Sequence, residues 1–429
     1  MIRRIVHVVV MVVLAGAAFA FRSGPVDSDP GLMLERAPTT FFGCAASVDQ
    51  ALTGSAVIGS IVRGPVTARL ASTGSTAVST EIDPAGGAAA DLAGLGAAGA
   101  VGILVEGTSS DAGVSVIETG TAGSLASTCT APITESAIAV GGSTGGTERL
   151  ELIVTNPYAV DAVVAVTSSS EVGDDSAREL ASVLVPARTT VVEDLADLLP
   201  LRQVLSVRLT VERGAVHAAL FQTVDGDVAM VEAVPPAQDW WLPLEVPADT
   251  DTRVVVSTDS LLPVEIRIDA YAAGAVTQSV VETELAARGQ LVFAATDLAA
   301  MPGGVRVSAD GPIVVGLVQN GAGRRAASPG VATLNSEWLA TGAGSFDVSR
   351  ALVLNPGEVE AELVLQPLAP DTPARAVSIP INSVAAVTLG RGGAGYLIRS
   401  TSEVAVLWSA DGTAGSALGA AVPVAILTE

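Results

Sequence analysis

An arginine, an alternating apolar run and a sharp corner recur along the chain. They read RALVLNPGEVEAELVL from Arg350, RLELIVTNPYAVDAVVAV from Arg149, RVVVSTDSLLPVEIRI from Arg253 and, more faintly, RLASTGSTAVSTEI from Arg69. A second landmark follows each, a strand pair around a corner of Pro, Ala and Gly: SVLVPARTTVVEDLA at 182–196, ETELAARGQLVFAATDLA at 282–299, AVSIPINSVAAVTL at 376–389 and STEIDPAGGAAADLA at 79–93. A third is hairpin-like: SVRLTVERGAVHAALFQT at 206–223, GVRVSADGPIVVGLVQN at 304–320, GYLIRSTSEVAVLWSA at 395–410 and VGILVEGTSSDAGVSVIET at 101–119. Three features in constant order, four times over, indicate four copies of one unit, the first the most divergent.

Each copy holds about seven short alternating runs, and alternation means one buried and one wet face. In the last copy they fall at 350–354, 361–366, 374–380, 383–389, 395–400, 404–409 and 417–426. Apolar residues make up 49% of the chain but aromatics only 3%, so Val, Ala, Leu and Ile must build the core. The expected fold class is all-β: tandem immunoglobulin-like antiparallel sandwiches after an N-terminal hydrophobic helix. A β-propeller is the alternative, and it needs two four-stranded blades per copy. The expected divisions are an N-terminal segment at 1–24, a linker at 25–43, and β modules at 44–145, 146–248, 249–345 and 346–429. Connectors rich in Pro, Gly and Ser are expected between copies; two carry Trp240, Trp241 and Trp338 at equivalent places, and Cys129 is read at that place in the first.

Arg3 and Arg4 precede an apolar run from Ile5 to Phe21, the pattern of a secretory segment. Ala18 and Ala20 suit cleavage after Ala20; the alternative is an uncleaved membrane anchor over residues 5–21. Either way the rest of the chain is expected outside the cytoplasm. The two cysteines, Cys44 and Cys129, are then expected to pair, with two separate thiols as the alternative.

The chain has 22 basic and 45 acidic residues, a net charge of −23, and every basic residue is arginine. Nucleic acid is excluded as a partner by that charge, and membrane contact is expected only through the N-terminal segment. The absence of lysine excludes P-loop and Schiff-base chemistry.

Cys44, then Cys129-Thr130-Ala131-Pro132, then Gly141-Gly142-Ser143-Thr144-Gly145-Gly146, then the strand and turn from Leu150 to Pro157 form an ordered set. In this set the chain resembles an actinobacterial family of exported or membrane-anchored proteins known only as a domain of unknown function. The resemblance covers nearly the whole exported part and implies no reaction or ligand. The tryptophans that the family carries after the second Cys are missing here, where ITESAIAV stands.

Gly141-Gly142-Ser143-Thr144-Gly145 matches G-x-S-x-G, but a nucleophile elbow needs a helix after the serine, and a strand is expected there. His217 is the one histidine of the exported part, and its place inside an alternating run argues for packing. Asp174-Asp175 and Asp249/Asp251 offer paired carboxylates without calcium-loop spacing. No catalytic, cofactor or metal residue is therefore assigned. Trp240, Trp241 and Trp338 are the candidate interaction residues. The expected function is a non-catalytic cell-envelope scaffold whose partner is an unknown envelope protein or glycan. A carbohydrate- or ligand-binding module using these tryptophans is the alternative, and a hydrolase a distant third.

Overall fold

The computed structural model describes residues 40–423 apart from short stretches, the longest being 61–65, 83–87, 92–98 and 342–347; before residue 124 it describes the side chains of only a few residues. The hydrophobic helix expected at the N-terminus, the cleavage site and most of the linker lie outside the described residues. Among the described residues no helix is long and apolar enough to cross a membrane.

The protein is almost entirely β. Its strands in chain order begin with β1 (Thr40–Val48), β2 (Leu52–Ser60), β3 (Val66–Ser72), β4 (Ser75–Ile82), β5 (Ala88–Asp91), β6 (Gly99–Gly107), β7 (Ala112–Gly120) and β8 (Gly123–Thr128). These form two antiparallel sheets, ordered β1-β6-β3-β4 and β5-β2-β7-β8. Next come β9 (Ser136–Gly142), β10 (Arg149–Thr155), β11 (Ala162–Ser170), β12 (Gly173–Asp175), β13 (Val183–Val185), β14 (Thr190–Asp194), β15 (Leu205–Arg213), β16 (His217–Val224) and β17 (Asp227–Glu232). They pair as β9-β15-β11-β12, with β13 also on β11, and as β14-β10-β16-β17, which is the same scheme.

The third set is β18 (Ala237–Leu244), β19 (Thr250–Ser257), β20 (Val264–Ala272), β21 (Ala275–Leu285), β22 (Gln290–Ala294), β23 (Gly303–Gly321) and β24 (Arg324–Pro329). Here one long strand does the work of two: β23 pairs with β18 and β20 in its first half and with β19 and β24 in its second. The fourth set is β25 (Asn335–Thr341), β26 (Val348–Asn355), β27 (Ala361–Pro367), β28 (Arg375–Ile379), β29 (Ser383–Leu389), β30 (Gly395–Gly412), β31 (Gly415–Ala420) and β32 (Val422–Pro423). Its long strand β30 passes from β25 and β27 to β26 and β31 in the same way. In an immunoglobulin sandwich the sixth and seventh strands form a hairpin in one sheet. Here the chain runs from the sixth strand into the opposite sheet, and relative to that order the first, fourth and seventh strands have changed sheets.

The second, third and fourth sheet pairs each enclose one aliphatic core. That of the second pair takes Ala137, Leu150, Leu152, Val164, Leu209 and Leu220, inward-facing residues of both sheets. The Asn-Pro corners between sheets are held by the asparagine. Asn355 is fully buried; its Nδ2 donates to the carbonyls of Val359 (2.9 Å) and Ile379 (3.1 Å), and its Oδ1 accepts from Gly357 N at 3.0 Å. Asn156 repeats this with Val160, Val185 and Tyr158. Thr258 substitutes in the third pair, accepting from Ser260 N and donating to Pro312 O. The sequence of Pro356-Gly357 favours a type II turn with Gly357 at positive φ; Gly357 is instead outside the left-handed region, because the Asx turn of Asn355 already satisfies its N–H. Loss of that side chain strands the buried Ile379 carbonyl, at a cost of about 1–3 kcal/mol.

After each eighth strand the chain returns to the first strand of its own pair. Gly43 and Thr130 exchange both backbone hydrogen bonds, as do Ile138 with Val234 and Trp241 with Val331; Leu339 pairs with Val422. One residue inward, the facing positions are Cys44/Cys129, Ala139/Ala233, Leu242/Gly330 and Ala340/Ala421. Such non-hydrogen-bonded pairs bring Cα atoms to about 4.5 Å, and Cys44 and Cys129, whose Cα atoms are 4.5 Å apart, are joined by a disulfide. Where no disulfide forms the pair is small: a Cβ on Gly330 would stand 3.1 Å from Leu242. Cys129 is thus the partner of a first-strand residue and not the counterpart of the tryptophans. The segments read as connectors around Trp240, Trp241 and Trp338 are themselves first strands, β18 and β25, and β1 begins at Thr40, inside the stretch read as linker.

The four sheet pairs close into a ring. The first strand of each lies against the next pair: β1 on β16, β9 on β23, β18 on β30, and β25 on β7 of the first pair. The last full strands meet around the axis, β8 on β17, β17 on β24, β24 on β31, and β31 on β8. Polar bonds cross these seams: Ser127 Oγ donates to Glu232, Arg325 N to Asp227, Arg325 Nη2 to Gly141 O (2.7 Å), and Thr128 Oγ1 to Ala420 O (2.7 Å).

The equivalence of the facing pairs is testable. Ala139→Cys with Ala233→Cys should form a second disulfide spontaneously in oxidising expression, read as a loss of two thiols by mass, and should raise stability by up to ~4 kcal/mol for a loop of this size. Two free thiols in the folded variant would contradict the pairing.

Candidate functional site

Around the axis the ends of the four eighth strands leave a cavity of about 450 Å3. Its wall is the same element taken four times: residues 126–131, 230–235, 327–332 and 418–423. Most of the lining is apolar, with Met230, Val331, Leu418 and several prolines; prolines lack an N–H, so the backbone there offers few donors. The polar exceptions include Ser127, Thr128, Thr130 and Glu232, and the Glu232 carboxylate accepts from Ser127.

Trp240 and Trp338 occupy the same register position on β18 and β25, and both line this cavity. The indole N–H of Trp240 donates to Ile313 O (2.7 Å) and that of Trp338 to Asn335 O (2.9 Å), so each is buried with its polar atom satisfied. The second pair carries Ala137 at this position, which does not line the cavity. Trp241 alternates to the other face of β18. It packs on Tyr271 with ring centroids 5.9 Å apart and carries the Arg306 guanidinium 5.1 Å from its ring centre. The tryptophans singled out in the sequence thus belong to two places.

The serine motif and the histidine are not brought together. Ser143 lies at the end of β10 that faces Gln222, and His217 pairs with Thr155 at the other end. Five residues of extended β16 separate Gln222 from His217, roughly 17 Å. Ser143 is fixed in the β9–β10 turn: its N–H donates to Gln222 Oε1 (2.9 Å), its hydroxyl to Glu148 and to Arg202 O. Three of the four carboxylates read as calcium candidates are bound to arginines, Asp174 to Arg208, Asp175 to Arg202 (2.5 Å) and Asp251 to Arg253 (2.7 Å). Among the described residues no three His, Cys, Asp or Glu side chains cluster as metal ligands.

His217 serves the seam between the first two pairs. Its ring lies on Gly43, where any Cβ would come within 2.1 Å, and neither ring nitrogen has a hydrogen-bond partner among the described residues. Burial lowers its pKa to about 4.

A family of unknown function, DUF5719, matches residues 97–340, from the sixth strand of the first sheet pair to the first strand of the fourth. The chain belongs to the DUF5719 family. No curated protein matches this DUF5719 member. Among solved structures it aligns with an alpha-L-rhamnosidase of Streptomyces avermitilis complexed with L-rhamnose at 10% identity and a TM-score of 0.17, covering 71% of this chain and 44% of the enzyme. It also aligns with a tetra-tandem repeat from the extending region of a large adhesion protein at 15% identity and a TM-score of 0.12, covering 84% of this chain and 92% of the other. At those scores neither alignment carries an inference.

Because the unfolded chain binds a proton on His217 below about pH 6.5 and the folded chain only below about 4, this residue withdraws stability as pH falls across that window, up to about 3 kcal/mol. In urea unfolding, the stability of the native protein minus that of His217→Phe should shrink by about 1–3 kcal/mol between pH 7.5 and pH 4.5. A constant difference would show that His217 is not buried neutral.

Proposed function

We propose that this DUF5719 member is an exported, non-catalytic envelope scaffold that holds an apolar ligand in its axial cavity. The four sheet pairs are read as tandem modules of one immunoglobulin-related sandwich, closed head to tail. The observation that carries the reading is the cavity itself: its volume, apolar wall, few polar groups and two tryptophans are those of small-molecule sites. Export is supported by Arg3 and Arg4 before the apolar run and by the Cys44–Cys129 disulfide, which fits an oxidising compartment. The non-catalytic part is supported by the separation of Ser143 from His217 and by the pairing of Asp174, Asp175 and Asp251 with arginines. The scaffold part is supported by closure, which makes each module brace its neighbours, while strands such as β12, β21 and β28 end the sheets and offer their edges to a partner envelope protein.

The test is titration with 1-N-phenylnaphthylamine, an apolar fluorophore, followed by quenching of tryptophan emission. One molecule per chain should bind with Kd on the order of 10 μM. Ala332→Trp, which fills the cavity wall, should weaken binding at least tenfold with Tm unchanged. Absence of saturable binding, or equal affinity in that variant, would overturn the reading.

A further inference from the structure

A second hollow, of about 500 Å3, lies on the outer face of the sheet β18-β23-β20-β21. Arg267, Asp269 and Tyr271 alternate onto that face of β20, and Arg306 and Ser308 onto that face of β23. Trp241, Arg306 and Asp269 are direct cross-strand neighbours, so aromatic, cation and carboxylate form one row across three strands. Gln278 of β21 closes the far side. The facing wall comes from the next module: Pro356 and Glu358 of the Asn-Pro-Gly corner, and Asn382 of the adjacent corner.

The row is held in place before any ligand arrives. Arg306 donates to Asp239 Oδ1 through Nε (2.9 Å) and Nη2 (2.6 Å) while lying over Trp241. Asp269, 7% exposed, accepts from Arg267 Nε (2.9 Å) and from Ser279 N (2.8 Å), both at Oδ1. The backbone is distorted for the second of these bonds. The β20–β21 register shifts between Ile268 and Ala270, and Ser279 takes a φ of 52°. A bulge re-aims a side chain, and a non-glycine residue in the left-handed region costs on the order of 1 kcal/mol or more.

The chemistry of the lining selects a ligand class. It holds two guanidiniums, Arg267 and Arg306, and two carboxylates, Asp269 and Glu358. An anion would need surplus positive charge, and a metal ion surplus carboxylate; neither is present. Donors and acceptors stand side by side on planar or hydroxyl-bearing groups, next to the Trp241–Tyr271 pair. A sugar ring presents the complement, hydroxyls that each donate and accept around its rim and apolar C–H faces. We propose that this cleft binds a neutral oligosaccharide, at a site separate from the axial cavity.

Calorimetric titration of the full exported chain with cellohexaose, maltohexaose and mannohexaose, and with hexagalacturonate as the acidic comparison, tests this. At least one neutral hexasaccharide should bind one per chain with Kd on the order of 0.1 mM. The exposed Gln278→Ala and Glu358→Ala variants should each weaken it about fivefold or more with Tm unchanged, and Ala332→Trp in the cavity should leave it unaltered. No binding of any neutral hexasaccharide at millimolar concentration would overturn the proposal. So would tighter binding of hexagalacturonate, or neutral binding that both cleft variants leave intact.

Discussion

The structure depends on the pairing between the first strand of each sheet pair and the chain that leaves its eighth strand. That bridge brings the end of the eighth strand beside the first strand, and the first strand is the element that reaches the next copy. Two faces of one strand are therefore committed. On β9, Ala137 and Ala139 enter the core of the second pair while Ile138 and Val140 enter the core of the third. The same exchange puts Leu418 of the fourth pair into the third core, and Ile117 and Ala126 of the first pair into the fourth. Closure of the ring is thus a matter of shared cores, and the polar seams fix its register.

The disulfide follows from this constraint. The positions one residue inward from each bridge face each other at close range and are buried in all four pairs. Three copies solve the crowding with Ala/Ala, Leu/Gly and Ala/Ala; the first solves it with a covalent bond. The second solution falls on the copy that also receives the end of the ring, where β31 comes to rest on β8. The axial cavity is the space left where four equivalent strand ends converge, which is why its wall repeats in backbone while the side chains on it differ from one strand end to the next.

Much of the all-β character was legible, and the reasons are local. The alternation after the corner, AELVLQP, is visible because β27 buries one face and exposes the other, and the recurrence of the corners reflects the Asn156 and Asn355 staples. First strands were read as connectors because they lack alternation: SAIAVGG is buried along almost its whole length, as a strand between two cores must be. Straight passage from the sixth to the seventh strand was hidden too, since Gly-Pro in β23 and Ser-Thr-Ser in β30 read as turns but are spanned by continuous strand. Trp240, Trp241 and Trp338 stood out by rarity alone. That two face the axis and one faces the polar cleft depends on ring closure, which no local pattern encodes. The pairing of Cys44 with Cys129 needed only the count of two.

Closure of four sheet pairs into one ring is the central claim, and small-angle X-ray scattering of the chain from residue 40 onward tests it most directly. A closed unit of this length should have a radius of gyration of about 21 Å. Four modules of the same size strung end to end would exceed roughly 30 Å, since each alone contributes about 13 Å and their centres would be spread along a line. A value near the first supports the ring; a value above the second contradicts it.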